Sequence, residues 1–349
     1  MREGNEMNLG SHIAVRPEWL ALRREDIIEP ELAIIDPHHH LWDKPGAKYL
    51  LPDLLEDLGS GHKIVSTVFM ECRSMYRQAG DPALAPVGEV EFVNGIAAMS
   101  ASGGYGPTRI CEGIVGHADM MLGANAGHVL EALIAAGNGR FRGIRASTVW
   151  HADPAARGSS LNTSEGLLKT ARFREGFACL GPLGLTFDAW MYHTQLAELV
   201  EVARAFPDTT IILNHVGGAI GIGPYAGKRD EVFAAWHAQM RALAECPNVN
   251  VKLGGLGMRL FGFSFHSAAM PPSSHELAEA WRPYIEACIG AFGPSRCMFE
   301  SNFPVDKGSC SYAALWNAFK RITSGYSAEE KAALYRGTAA RVYKLSSEA

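Results

Sequence analysis

Two histidines near the start of the sequence have the spacing of a pair that can hold one ligand. His38 and His40 flank His39 in the run Asp36-Pro37-His38-His39-His40, which ends an apolar segment. Residues two apart in a β-strand lie on the same face, so His38 and His40 point one way and His39 points the other. Two imidazoles on one face can bind a divalent cation or an anionic substrate. A purely structural histidine cluster is the alternative.

Lys252 is a charged residue inside the otherwise apolar run Val249–Leu253. An inward-facing lysine loses its hydration, and that loss must be offset by a carboxylate or a ligand. We expect Lys252 to take part in catalysis. As its partner within the fold we expect Glu71 or Glu300, and the two roles are compatible.

Three further residues have side chains suited to substrate binding. Arg145 follows Arg142 by three positions, so the two point to opposite faces of a strand. The Arg145 guanidinium suits a carboxylate or a developing oxyanion, whereas Arg142 is expected to be a structural partner. Asp188 closes another apolar run and His193 lies five residues on. Both are expected to contact the substrate; a solvent-facing His193 in a first helical turn is the alternative.

These residues lie in or just after eight β-rich runs that alternate with amphipathic segments. The predicted strands are Ala33–His38, Ile64–Glu71, Ile110–His117, Phe141–Ser147, Gly184–Trp190, Thr209–His215, Val249–Leu253 and Cys297–Asn302. Eight such units indicate an α/β fold, a closed (β/α)8 TIM barrel. The first strand is not followed by a glycine-rich phosphate loop, which disfavours an open doubly wound sheet. In a barrel, the strand ends meet at one mouth, where active sites lie.

The barrel is expected to form one domain over residues 33–349, after an N-terminal extension over residues 1–32. Within the extension, Pro17–Leu20 offers an apolar anchor. The long stretch Gly254–Ser274 follows the seventh strand, and we expect it to act as a lid over the mouth. The final helix, near Ala328–Leu345, is expected to cover the barrel exterior.

Composition excludes several classes of partner. The net charge is only −5 and there is no Lys/Arg cluster, so no nucleic-acid partner is expected. No apolar run approaches the roughly 20 residues that cross a bilayer, and the first residues lack a signal-peptide core. We therefore expect a cytoplasmic protein that binds a small anionic molecule. The seven cysteines include no CxxC and are expected to be buried thiols. The sequence leaves open whether the chain forms a homo-oligomer.

The run Ile34–Trp42 resembles the opening motif of the "amidohydrolase 2" group of the amidohydrolase superfamily. That group includes sugar-lactone hydrolases, 2-pyrone-4,6-dicarboxylate lactonase and 4-sulfomuconolactone hydrolase, with relatives that are decarboxylases. The resemblance extends over about residues 33–345 through five further runs: Phe141–Arg145, Leu185–Trp190, Leu213–Gly218, Val251–Leu253 and Met298–Asp306. It implies a metal or substrate site on strands one, four to six and eight, and hydrolysis of a lactone or related ring.

The resemblance also implies individual roles. His38, His40 and His215 would bind a metal or the substrate carbonyl, and Arg145 matches the arginine of the group. A hydrogen-bonded core histidine is the alternative for His215. Six other histidines are expected at the surface or in the lid: His12, His62, His128, His237, His266 and His275.

Asn302 is where the sequence departs from the group. Many relatives carry Ser-Asp-Trp-Pro at this point, and their Asp activates water; here the run is Ser301-Asn302-Phe303-Pro304. An amide cannot act as a general base and is a poor ligand for a transition metal. Glu300 or Glu71 is therefore expected to be the base, with Asp306 a weaker choice. Asn302 would orient the substrate, and a zinc-like divalent ion is left open.

The expected function is hydrolysis of a small, carboxylated lactone or related cyclic ester by water addition. Two alternatives stay open. One is a non-oxidative decarboxylase of a small aromatic or unsaturated acid, using the same barrel. The other is a catalytically silent binding protein that kept the pocket after losing the base at Asn302.

Overall fold

The computed structural model describes residues 12–159 and 161–346. Its main feature is a sheet of eight strands in chain order, each paired in parallel with the next. The strands are β1 (Ile34–His39), β2 (Ile64–Met70), β3 (Arg109–Gly116), β4 (Phe141–Ser147), β5 (Thr186–Trp190), β6 (Ile211–Leu213), β7 (Val249–Leu253) and β8 (Cys297–Phe299). The sheet closes where the His40 N–H donates to the Phe303 carbonyl at 2.8 Å. The predicted (β/α)8 barrel is therefore confirmed.

A main helix follows each strand and packs on the outside of the sheet. The helices are α1 (Leu51–Leu58), α2 (Val87–Ala101), α3 (Ala126–Gly137), α4 (Ala171–Phe177), α5 (Leu196–Ala205), α6 (Arg229–Ala244), α7 (Ser274–Phe292) and α8 (Tyr312–Ile322). Three of them, α4, α7 and α8, start after a Thr or Ser whose hydroxyl accepts from a backbone N–H of the first turn. At α7, the Ser273 hydroxyl accepts from the Glu276 N–H, and the Glu276 carboxylate accepts from the Ser273 N–H. This capping box stabilises the first turn of the longest helix.

Four strands end earlier than the sequence predicts. β2 stops before Glu71, β3 before His117, β6 before His215 and β8 before Asn302. His215 and Asn302 have φ values of 53° and 54°, which belong to the left-handed region and not to a strand. Their backbones turn out of the sheet, and both side chains line a cavity at the mouth.

A β-bulge in β1 sets the direction of the His38–His40 pair. Ile35 packs in the barrel interior with Val68 and Met70. Three residues of β1 then oppose two of β2, because Asp36 pairs with Thr67 and His39 with Phe69. One extra residue reverses the alternation, so that His38 and His40 also face inward.

The amino-terminal end of the barrel is closed by the end of the chain. After α8 the chain forms a helix Ala328–Ala332, a π-turn Ala333–Gly337 and a helix Thr338–Val342. Tyr343 and Leu345 then pack with Ile35, Ile212 and Met298 inside the barrel. The expected single helix on the exterior is therefore wrong at its end, which plugs the interior instead.

The N-terminal segment 12–25, here called the strap, crosses the carboxyl end of the barrel. Its short helix Pro17–Leu20 buries Trp19 and Leu20. The Trp19 indole N–H donates to the Ala268 carbonyl at 3.0 Å, and Arg23 Nε donates to the Pro271 carbonyl at 2.8 Å. The strap is thus tied to the loop that follows β7.

The loop after β1 forms a short hairpin, Trp42–Lys44 paired with Ala47–Tyr49.

Six of the seven cysteines are buried as expected, and Cys179 is half-buried; all seven are free thiols. Among the described residues, no helix combines the length and apolar character that a membrane crossing requires.

Candidate active site

A cavity of about 100 Å³ opens at the carboxyl ends of the strands. Among its walls are His40, Glu71, Arg145, His215 and Asn302, which come from five different strand ends. A larger groove of about 570 Å³ lies outside it, between the strap, the hairpin and α1. The groove contains none of these strand-end residues, so the smaller cavity is the candidate active site despite its size.

Glu300 holds two of the histidines from beneath the cavity. Its Oε1 accepts from His215 Nδ1 at 2.7 Å and from the His215 backbone N–H at 3.2 Å. Its Oε2 lies 2.6 Å from His38 Nδ1, although the two atoms lack hydrogen-bond alignment. Because Nδ1 donates to the carboxylate, the proton of the neutral His215 ring lies on Nδ1. Its Nε2 is therefore unprotonated and has a free lone pair.

Two glycines make room for this arrangement. A Cβ on Gly254 would lie 2.4 Å from Glu300 Cγ, and one on Gly255 would lie 2.4 Å from His215 Nδ1. Gly255 also has a φ of 69°, which favours glycine. The chain therefore brings β7 close to the Glu300–His215 pair only because both positions lack a side chain.

His40 and Asn302 face each other as two acceptors. His40 Nδ1 donates to the Met70 carbonyl at 2.8 Å, which leaves Nε2 unprotonated. Nε2 lies 3.4 Å from Asn302 Oδ1, while Asn302 Nδ2 donates to Asp306 Oδ1 at 2.9 Å. Burial, followed by the Arg145 charge, holds the pKa of His40 well below its ordinary value, so no second proton fills the gap. The pair is suited to a cation or to a ligand that donates.

Arg145 is fixed by two neighbours. Its Nε donates to Glu71 Oε1 at 2.9 Å, its Nη2 to the Glu71 carbonyl, and its Nη1 lies 3.2 Å from His38 Nε2. Burial alone would raise the pKa of Glu71, but Arg145 and then His117 hold it below its ordinary value. Glu71 is ionised, and its Oε2 has no hydrogen-bond partner among the described residues.

Lys252 is paired with Asp188, and not with Glu71 or Glu300 as the sequence suggested. Lys252 Nζ lies 2.9 Å from Asp188 Oδ1, which also accepts from Asn214 Nδ2 at 2.9 Å and from the Tyr343 hydroxyl at 2.8 Å. Glu71 is already paired with Arg145, and Glu300 is already in contact with His38 and His215. Asp188 and Lys252 are fully buried, and neither is a wall of the cavity.

His38 and His193 also lie away from the cavity wall. His38 is fully buried between Glu300, Arg145 and Lys252, whose Nζ lies 3.4 Å from His38 Nδ1. His193 is 6% exposed, and its Nδ1 accepts from the Ile220 N–H at 3.2 Å. Burial therefore rules out the solvent-facing alternative for His193, and the structure does not bring it to the cavity.

Several cavity residues were not identified from the sequence. The ring of His12 stacks on that of Trp42 at 5.9 Å, and Trp42 stacks on His40 at 5.7 Å. Lys44 and Arg73 add two cations to the wall. His12 was expected at the surface or in the lid, and so was His62, which is buried. These residues lie in the strap, in the hairpin and in the connections between barrel elements, so the period of the barrel strands and helices did not point to them.

The side chains present fit a divalent ion. His38, His215 and Glu300 have ligand atoms within 4.8 Å of one another, all fully or nearly buried. His40, His215 and Asn302 line the cavity as a second set, in which His40 Nε2 and Asn302 Oδ1 lie 3.4 Å apart. Three protein ligands with an open position are usual for a catalytic zinc, although the cavity set lacks an anionic ligand.

Comparison with known proteins gives one consistent result. The model of a family described as amidohydrolase matches residues 35–345. Protein y4mH of Sinorhizobium fredii is 36% identical over 337 residues, covering 90% of this chain and 99% of that protein. An L-fucono-1,5-lactonase of Burkholderia multivorans is 24% identical over 322 residues, covering 89% and 96%. A crystal structure of a Burkholderia multivorans amidohydrolase with bound zinc is 26% identical, covers 90% of this chain and 100% of that chain, and has a TM-score of 0.67.

Proposed function

We propose that this chain, which belongs to the amidohydrolase family, opens a small carboxylated lactone by adding water at the barrel mouth. The observation that carries the proposal is the His215–Glu300 pair beside Arg145. It combines a neutral imidazole lone pair and a fixed guanidinium at one small cavity. The L-fucono-1,5-lactonase relatives support a lactone as the substrate class.

In this proposal His215 is the general base and Glu300 is its positioning residue. Burial keeps the pKa of His215 below its ordinary value even though Glu300 opposes that shift, so the ring is neutral at pH 7. His215 Nε2 takes a proton from water while the water oxygen attacks the carbonyl carbon. The same proton then passes to the ring oxygen as the C–O bond breaks, giving a hydroxy acid.

Arg145 stabilises the tetrahedral oxyanion. Because Glu71 and His38 hold the guanidinium on two sides, it need not reorganise when charge develops on the carbonyl oxygen. A preorganised donor of this kind contributes about 3 to 4 kcal/mol to the transition state in well-studied enzymes. Trp42 and Trp190 supply apolar walls against which a ring can pack.

A divalent ion, when bound, would be held by His40, His215 and Asn302 and would polarise the carbonyl oxygen. His215 cannot then serve as the base, because its Nε2 lone pair is used. Glu71 is the remaining candidate, since it lines the cavity and its Oε2 is unpartnered among the described residues.

The test is acid release from a panel of sugar lactones and carboxylated lactones, with metal content measured on the same sample. We expect release of one acid group per lactone, and its loss in His215→Ala. His193→Ala is the matched control, because His193 is also buried but lies outside the cavity. Release of carbon dioxide from unsaturated acids would indicate a decarboxylase instead. Binding without turnover, with or without added zinc or manganese, would indicate a silent binding protein.

A further inference from the structure

Arg73 is a half-buried cation in the wall of the mouth cavity. Among the described residues its guanidinium makes no hydrogen bond and no close ion pair, and the nearby carboxylate Glu71 interacts with its charge at longer range. Arg145 differs, because Glu71 and His38 already accept from three of its five N–H groups. A guanidinium that lines a small cavity and has all its N–H groups unbonded can donate them to an anionic ligand.

The chain holds Arg73 in an unusual backbone conformation. Its φ is 58°, in the region that costs a residue with a side chain free energy. The amides on either side fix it: the N–H groups of Cys72 and Ser74 donate to Glu89 Oε1 on α2, at 3.0 and 2.7 Å. A Cβ on Gly88 would lie 2.4 Å from the Met75 carbonyl, so α2 can approach only through a glycine. The two hydrogen bonds to Glu89 and the close approach of α2 at Gly88 therefore hold Arg73 in this strained conformation.

Lys44 reaches the same place from the hairpin. Its Nζ donates to the Cys72 carbonyl at 2.8 Å, next to Arg73 in the chain, and lies 4.8 Å from the Trp42 ring centre. An ammonium has three N–H groups, so this bond leaves two for a ligand. Two segments far apart in sequence thus present two cations to one side of the cavity.

The other cations near the cavity are already neutralised. Lys252 is paired with Asp188 beneath the site, and Arg145 with Glu71. We propose that Arg73 and Lys44 form an anion subsite that binds a carboxylate substituent of the substrate. This inference rests on the proposed lactone hydrolysis and assigns the recognition of charge to residues separate from the reacting centre. A cavity of about 100 Å³ suits a small ring with one such group.

The experiment measures binding and not turnover. The probes are tetrahydrofuran-2-carboxylate, its uncharged carboxamide, and inorganic phosphate, titrated by calorimetry. We expect the carboxylate to bind at least about tenfold more tightly than the carboxamide, because only it makes charge-assisted hydrogen bonds. Arg73→Gln and Lys44→Gln should each weaken carboxylate binding by about 10- to 100-fold and leave carboxamide binding unchanged. Arg73→Lys should retain part of the affinity.

Two matched controls remove a charge nearby but outside the cavity. Lys48→Gln lies on the same hairpin and Arg77→Gln follows Arg73 closely, where Arg77 is paired with Glu91. Neither should change carboxylate binding. Equal losses in these controls, or equal affinity for carboxylate and carboxamide, would overturn the proposal. Tighter binding of phosphate would also overturn it and would assign the subsite to a phosphate ester.

The outcome is separable from that of the proposed function. The probes contain no lactone, so an enzyme that hydrolyses no lactone can still show carboxylate binding that depends on Arg73 and Lys44. Conversely, hydrolysis of neutral and carboxylated lactones with equal KM would retain the proposed function and overturn the subsite. If Arg73→Gln lowers the Tm, its loss of binding could come from a damaged fold. The conclusion then depends on the binding measured for Lys44→Gln and Arg73→Lys.

Discussion

Glu300 accepts two hydrogen bonds from His215, one from the backbone N–H and one from Nδ1. A fully buried carboxylate thus fixes both the position of one imidazole and the nitrogen that carries its proton.

The first prediction follows from the Glu300–His215 pair. Glu300→Gln should lower kcat/KM by at least about two orders of magnitude, because an amide no longer selects the Nδ1–H tautomer. Asn302→Ala should cost less, since it removes only an orienting group. The measurement is kcat/KM for both variants on one lactone; a near-normal rate in Glu300→Gln would make Glu300 a purely structural partner.

The second prediction concerns metal affinity. Asn302→Asp should raise the affinity for a divalent ion, because it places an anionic oxygen opposite His40 Nε2, where the wild-type chain offers a neutral one. Elemental analysis and zinc titration of wild type, Asn302→Asp and Asn302→Ala provide the comparison. Equal metal content in all three would mean that the cavity-facing set does not hold the ion.

The third prediction concerns the buried ion pair. Lys252→Met should destabilise the fold by about 3 to 5 kcal/mol, because it leaves the Asp188 charge buried without its cation. The double variant Lys252→Met/Asp188→Asn should recover much of that loss, since no charge is then unpaired. Urea unfolding of both variants checks this, and a double variant no more stable than Lys252→Met would contradict it.

The fourth prediction is a pH dependence of stability. His62 accepts from Lys320 Nζ at 2.9 Å, and its Nε2 contacts the Ala313 carbonyl at 3.2 Å. Burial, then the Lys320 charge, lowers the pKa of His62 to about 4. The unfolded chain therefore binds this proton more readily than the folded chain. Stability from this group is complete above about pH 6.5 and is lost as the pH falls toward 4. Unfolding free energies at pH 4.5 and 7.5 should differ less in His62→Gln than in the wild type; an equal difference would contradict the assignment.

The fifth prediction concerns the loop Gly254–Ser274, expected from the sequence to be a lid. Its first part is packed, with Leu256, Leu260 and Phe261 buried, and its outer part is tied to the strap. We expect hydrogen exchange to be slow near Leu260 and faster near Ala268, and a bound carboxylate to slow the outer part. Trp19→Phe, which loses the indole N–H, should speed exchange around Ala268 only. Uniformly slow exchange, insensitive to ligand and to Trp19→Phe, would mean that the loop is fixed structure.

The sequence predicted the barrel well because its signal is repeated eight times. Alternating strands and amphipathic helices give a periodic pattern of apolar residues. This pattern remains recognisable when single positions deviate from it. The ends of β2, β3, β6 and β8 were placed too late. At β6 and β8 the reason is that nothing local shows that His215 and Asn302 adopt a left-handed backbone. The direction of His38 and His40 was predicted correctly, but it depends on a bulge that the alternation alone does not reveal.

The partners of buried charges were harder to predict. The carboxylate that pairs with Lys252 depends on how deep each side chain lies within the barrel, which is a property of the closed sheet. Lys44 and Arg73 carry no motif and lie outside the barrel strands, Lys44 in the hairpin and Arg73 in the connection after β2, so only their convergence on one cavity identifies them. The sequence could thus predict the site residues at the ends of the barrel strands, but not those in the connections between barrel elements.

The hydroxyl of Tyr343 reaches Asp188 from the closed end of the barrel, and Tyr343 follows Asp188 by 155 residues in the sequence. During synthesis β5 leaves the ribosome long before Tyr343 does, and Lys252 also follows it. A nascent chain therefore exposes Asp188 before either partner has been translated. The polar layer beneath the site can form only after Tyr343 has left the ribosome, so it is completed after all eight strands of the barrel have been made.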